Sequence, residues 1–115
     1  MEWGMEMLTN IMKEEIIAGL LKIFKNNISM IILYGSVARN DYTEESDIDI
    51  AIILKKEIDD YTKEQFINWS SDMDLRYDRV FSIIDIKESN IQQWGDILPF
   101  YKNVKEEGII LWKAA

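Results

Sequence analysis

Tyr34-Gly35-Ser36-Val37-Ala38-Arg39-Asn40-Asp41-Tyr42-Thr43-Glu44-Glu45-Ser46-Asp47-Ile48-Asp49-Ile50-Ala51-Ile52-Ile53-Leu54 is the stretch on which the reading of this chain turns. The apolar run Ile28 to Leu33 feeds Gly35-Ser36, a short polar segment follows, and a second run opens on two carboxylates before becoming wholly apolar. Asp is depleted in strand interiors, so two of them one residue apart need a cause. Side chains alternate across a strand, which puts Asp47 and Asp49 on one face and Ile48, Ile50, Ile52 and Leu54 on the other. Like charges at that spacing raise each other's pKa unless a cation lies between them, and hard oxygen donors suit magnesium or manganese.

Gly35-Ser36 supplies the complementary half. Gly35 permits a backbone geometry that a Cβ would obstruct, and a turn that leaves a strand and opens a helix presents unpaired N–H groups to an anion. A phosphate cradle beside a carboxylate pair is the arrangement that holds a metal–nucleoside triphosphate, and the chemistry it suggests is phosphoryl or nucleotidyl transfer. Asp41, Glu44 and Glu45 read as solvated loop charges.

Gly35-Ser36, ten intervening residues and Asp47-x-Asp49 together resemble the signature of the DNA-polymerase-β-like nucleotidyltransferases. The resemblance is nearest to their minimal, single-domain members, the MNT domains. Arg39 stands where that group's Ala-Arg-Gly has its Arg, with Asn40 in place of the Gly, and Ser46-Asp47-Ile48-Asp49 fits unchanged. It extends to a leading helix, a later strand and the closing segment Pro99 to Ile109, of the type Pro-Phe-Tyr-x-x-Val-x-x-Glu-Gly-Ile. The resemblance implies that Asp47 and Asp49 are catalytic and bind Mg2+ or Mn2+, and that Gly35, Ser36 and Arg39 bind the nucleotide, most naturally ATP. It also implies an acceptor: minimal members commonly serve as antitoxins that adenylylate a helical toxin of the HEPN type.

The chain has 115 residues and no Cys or His. One domain spanning 1–115 is expected, burying roughly 65% of its unfolded surface. Without Cys there are no disulfides, and without His there is no Ser-His or Cys-His pair, so carboxylates are left for metal binding and base work. The first residues show no secretory pattern and no run is long enough to span a membrane, which points to the cytoplasm. A net charge of −8 leaves no basic stripe for a nucleic acid, so DNA is not an expected partner. A chain this short is expected to borrow substrate contacts from a partner protein or from a second copy of itself.

Apolar residues Leu8, Ile11, Met12, Ile16, Leu20, Ile23 and Phe24 recur at helical spacing and predict an amphipathic helix from Met5 to about Lys25, with Thr9 or Asn10 as an alternative cap. Ile28 to Tyr34 reads as a central strand, followed after Gly35 by a short helix. Asp59 caps a predicted helix to about Tyr77, with Tyr61, Phe66, Trp69, Met73 and Leu75 as its face. Val80 to Ile86 reads as the third strand. Glu88 to Gly95 and Pro99 to Gly108 read as helices, the first turning Ile91 and Trp94 inward, and Ile109 to Trp112 as a last short strand.

The third strand departs from the resemblance. Active members carry a third carboxylate there, in a pattern like Val-Asp-Leu-Val-Asp-Leu, and laid onto Phe81-Ser82-Ile83-Ile84-Asp85-Ile86 that acid falls on Ser82. Asp78 at the strand entrance is the candidate substitute, Asp85 projects from the face opposite Ser82, and Asp72 and Asp74 read as helix surface. The expected fold is α/β, a mixed sheet of three or four strands flanked by helices, palm-like in the nucleotidyltransferase manner. The expected function is transfer of AMP from ATP to a partner protein. The alternative is a degenerate binding module that neutralises its partner by contact, and transfer onto a small molecule such as an aminoglycoside is a third.

Overall fold

The structure, a computed structural model, describes residues 8–115. Helix α1 spans Asn10–Phe24, and the Thr9 hydroxyl caps it by accepting from the Met12 N–H at 3.2 Å. Met12, Ile16, Leu20 and Phe24, each four residues apart, form its buried stripe. Ile11 was expected on that face but is 72% exposed, because it lies a quarter-turn away from the stripe that Met12 begins. The predicted start at Met5 lies outside the described residues.

A single 3-10 turn, Lys25–Asn27, leads into β1, Ile28–Tyr34. Then follow α2 (Gly35–Arg39), β2 (Ile48–Leu54), α3 (Asp60–Tyr77), β3 (Phe81–Lys87), α4 (Glu88–Trp94), α5 (Pro99–Glu107) and β4 (Ile109–Lys113). The sheet order is β3-β2-β1-β4, with β1 antiparallel to β2 and β4 and β2 parallel to β3. A parallel pair needs a crossover, and α3 is that connection. The mixed four-stranded sheet with flanking helices is the α/β fold expected from the sequence.

The strict alternation along β2 divides the interior in two. Ile48, Ile50, Ile52 and Leu54 join Ile16, Leu20, Ile31 and Met73 beneath α1 and α3. Ala51 and Ile53 pack on the other side with Ile32, Ile86 and Val104, beneath α5. At Gly19 a Cβ would lie 2.7 Å from Cζ2 of Trp69, so the indole of α3 lies directly against the backbone of α1. Trp69 stacks on Phe66, and Phe66 meets Phe24 at a centroid distance of 5.5 Å.

The inward face of α3 is Phe66, Trp69, Met73 and Tyr77. Tyr61 and Leu75 were expected on it and are exposed, Leu75 by 83%. Met73 and Leu75 are two residues apart, which on a helix turns them to opposite sides, so only one can face the sheet. Trp94, expected to turn inward from α4, is also exposed, while Ile91 of the same helix packs on the smaller cluster.

Candidate active site

The alternation that buries the Ile face of β2 turns Asp47 and Asp49 to the side that carries α5. Asp47 is exposed just before the strand begins, where the Ile48 N–H donates to Val80 O at 2.9 Å, and Asp49 is half-buried. Asp49 is the register partner of Tyr34 on β1 and of Ser82 on β3, so phenol, carboxylate and hydroxyl form one row across three strands. The Tyr34 ring meets Phe100 of α5 edge-on at 5.8 Å. Nothing in the residues around Tyr34 announces this company, because pairing register is not written in either strand alone.

Gly35 opens α2 with a φ of +75°, in the region that favours glycine. A Cβ there would lie 3.0 Å from the Asp49 Cγ and closer still to its carboxylate oxygen. Backbone and carboxylate therefore occupy adjoining space that no other residue type would leave open. Asn40 ends α2 with a φ of 63°, a left-handed conformation that Gly most readily adopts and Asn tolerates, which accounts for Asn at the position where the resemblance expects Gly. Asp41 N–H donates to Ser36 O at 3.0 Å.

The Asp49 carboxyl is held above its usual range, first by burial and then by the Asp47 charge, with Arg39 acting against both. Tyr34 is likewise pushed up, by burial and by the Asp49 charge. Arg39 donates from Nε to Asp41 Oδ2 at 3.2 Å and places Nη1 3.8 Å from Glu107 Oε2. It is thus an ion-paired residue whose charge still reaches Asp49.

The loop before β2 is held by its own polar atoms. Thr43 N–H donates to Ser46 Oγ at 2.9 Å, Ser46 N–H donates to Thr43 O at 3.1 Å, and Arg79 reaches across to Glu44 O at 3.1 Å. Asp78 is exposed and left-handed at the C-cap of α3, lining one cleft with Asp47, Glu44, Glu45 and Asp74. Asp74, expected on the helix surface, is half-buried and its Oδ1 accepts from the Phe81 N–H at 2.9 Å, fixing the entrance of β3. Asp85 is exposed on the side away from Ser82, as expected.

Among the described residues no group of three or more carboxylates is placed to hold one metal ion. Asp47 and Asp49 are oxygen donors whose mutual repulsion a cation would relieve. That donor set fits a hard divalent ion bound by one or two carboxylates, with phosphate and water oxygens completing its shell.

The sequence pattern of the family described as polymerase beta nucleotidyltransferase matches residues 15–114. The Methanocaldococcus jannaschii protein named "Putative protein adenylyltransferase MJ0604" is 35% identical over 102 residues, covering 86% of this chain and 93% of its own. A chain of the mutant toxin-antitoxin complex MntA-HpeT superposes with a TM-score of 0.61 at 19% identity, over 89% of this chain and 73% of that one. A chain of the complex between tri-AMPylated Shewanella oneidensis HEPN toxin and MNT antitoxin does so with a TM-score of 0.57 at 19% identity, over 89% and 70%. The two structural likenesses establish a common fold, and the pattern match, spanning the acid row, Gly35 and the closing helix alike, establishes descent: the chain belongs to the polymerase beta nucleotidyltransferase family.

Proposed function

We propose that this nucleotidyltransferase moves AMP from ATP onto a hydroxyl of a partner protein, a HEPN-type helical toxin, and so acts as an antitoxin. The observation that carries the reading is the packing of Gly35 against Asp49 with Asp47 beside it, which sets a glycine turn at a helix start against an acid pair and supports phosphate binding there. The resemblance to a protein named as a protein adenylyltransferase supports the acceptor class, and the fold shared with a chain of an AMPylated toxin complex supports the partner.

In this reading Asp47 and Asp49 hold a magnesium or manganese ion, which supplies neutralisation of the triphosphate charge. Gly35 and Ser36 present backbone and hydroxyl donors to the phosphates, and Arg39 adds positive charge at the edge of the site. The acceptor oxygen forms a bond to the α-phosphorus as the bond to the β-phosphate bridging oxygen breaks, releasing pyrophosphate. The acceptor proton leaves to water at the edge of the site, since both carboxylates are engaged by the ion in this reading and Ser82 stands where a third would be.

Ser82 favours a second reading. A hydroxyl beside Asp49 leaves the row one carboxylate short, which suits a module that neutralises its partner by contact alone. Incubation of the HEPN-type partner with α-phosphate-labelled ATP and magnesium separates the two. Label on the partner that is lost in the Asp47→Asn, Asp49→Asn double variant supports transfer, whereas a partner that binds both forms equally and is labelled by neither supports the contact module.

A further inference from the structure

Exposed apolar side chains are ordinary when scattered. Here they are concentrated: Trp94, Ile97, Leu98 and Phe100, between 38% and 65% exposed, fall within seven consecutive residues at the corner between α4 and α5. The corner is a built turn, since the Ile97 and Leu98 N–H groups both donate to Trp94 O at 3.0 Å and Pro99 starts α5 where its missing N–H is harmless. The interior beneath α5 is filled by Val104 and Tyr101, so Trp94, Ile97 and Leu98 lie outside the core clusters and Phe100 is engaged only through its ring contacts with Tyr34 and Tyr101.

The corner also reaches the acid row. Phe100 lies edge-on against Tyr34, and Tyr34 is the register partner of Asp49. At the other end of α5, Glu107 meets Arg39. The margin beside the acid row carries an acidic excess: Asp41 and Glu107 share the single Arg39, whereas Asp96 is paired with Lys105. The chain as a whole carries −8.

We propose that the α4–α5 corner is the docking platform for the acceptor protein, which sets an apolar patch against Ile97, Leu98 and Phe100 and a rim of Lys and Arg against the acidic margin. The proposal rests on the transfer reading above and names the surface that brings the acceptor hydroxyl to Asp49. A second copy of this chain would bring another −8 against the same margin, and a nucleic acid would bring phosphates, so a basic protein is the occupant that charge selects. Docking anchors are enriched in aromatic residues surrounded by lesser apolar contacts, which is the composition of this corner.

The test uses the full chain with a purified HEPN-type helical protein as the probe. The photo-crosslinking residue benzoylphenylalanine replaces Ile97 or, as a control on the opposite layer, Tyr61 of α3. An adduct is expected from position 97 and not from position 61. In the Ile97→Glu, Leu98→Glu double variant the KM for the labelled acceptor is expected to rise about tenfold while kcat and the KM for ATP stay within about twofold. Both side chains are exposed, so the variant retains its core. No adduct from position 97, equal adducts from both positions, or an unchanged acceptor KM overturns the platform. Label transfer without the adduct refutes the platform alone, and an adduct without label transfer refutes the transfer reading and leaves the platform standing.

Discussion

Asp49 and Ser82 are register partners across the parallel β2–β3 pair, so a hydroxyl stands on the strand and face where a third carboxylate would complete the acid row. Ser82→Asp is therefore expected to crowd three carboxylates together. Without metal the variant should unfold several degrees below wild type, the shift that about 1 kcal/mol produces in a domain of this length. Magnesium should restore more stability to the variant than to wild type. Thermal unfolding with and without the ion checks this, and equal magnesium effects in the two proteins would show that position 82 does not share the acid site.

Asp49 makes stability depend on pH in a direction that can be worked out. Its pKa is raised in the folded protein, so its contribution to stability is fully present below the unfolded-chain value and is lost as pH rises through the raised one. At neutral pH the ionised carboxylate works against the metal-free fold. Asp49→Asn is expected to raise the unfolding midpoint at pH 7 and to lose that advantage as pH falls below about 4. An advantage that persists unchanged into acid would mean that the charge of Asp49 is not its source.

Gly35→Ala meets two obstacles at one position, a φ of +75° and the Asp49 carboxylate. A cost of about 1–3 kcal/mol is expected from the backbone alone. Transfer activity should fall much further than stability, because relief of the clash displaces Asp49. Denaturant midpoints paired with label transfer test this, and a stable variant with full activity would refute the close approach.

The interior and the surface of the helices should respond very differently to truncation. Ile16 is fully buried on the sheet-facing stripe of α1, and Ile16→Ala is expected to cost about 2–5 kcal/mol. Leu75→Ala should change stability by less than about 0.5 kcal/mol, although periodicity alone places Leu75 on an apolar face. Urea unfolding of the two variants decides it.

The order of elements and the acid pair were legible because they rest on local chemistry. Alternation along Asp47 to Leu54 is a two-residue pattern, and it placed the acids on the face opposite Ile48, Ile50 and Ile52. What could not be read was whatever depends on which strand lies beside which. Tyr34 gave no hint that it would neighbour Asp49, since that depends on antiparallel register. Phe100 gave none that it would cover Tyr34, since that depends on where α5 crosses the sheet. Asp74 resembled any exposed helical acid until the path from α3 into β3 brought the Phe81 N–H to it. Leu75 and Trp94 misled because a helical face admits residues by angle, and a loose apolar count ignores angle.

The contact of Trp69 with the backbone at Gly19 bears on how the molecule can yield. Because the indole fills the space a side chain at Gly19 would take, α1 and α3 are locked at one separation and back the sheet as a stiff plate. The layer beneath α5 rests on a smaller cluster around Val104 and is the cheaper one to loosen. Hydrogen exchange is therefore expected to open α5 before α1 and α3, the smaller cluster giving way ahead of the larger.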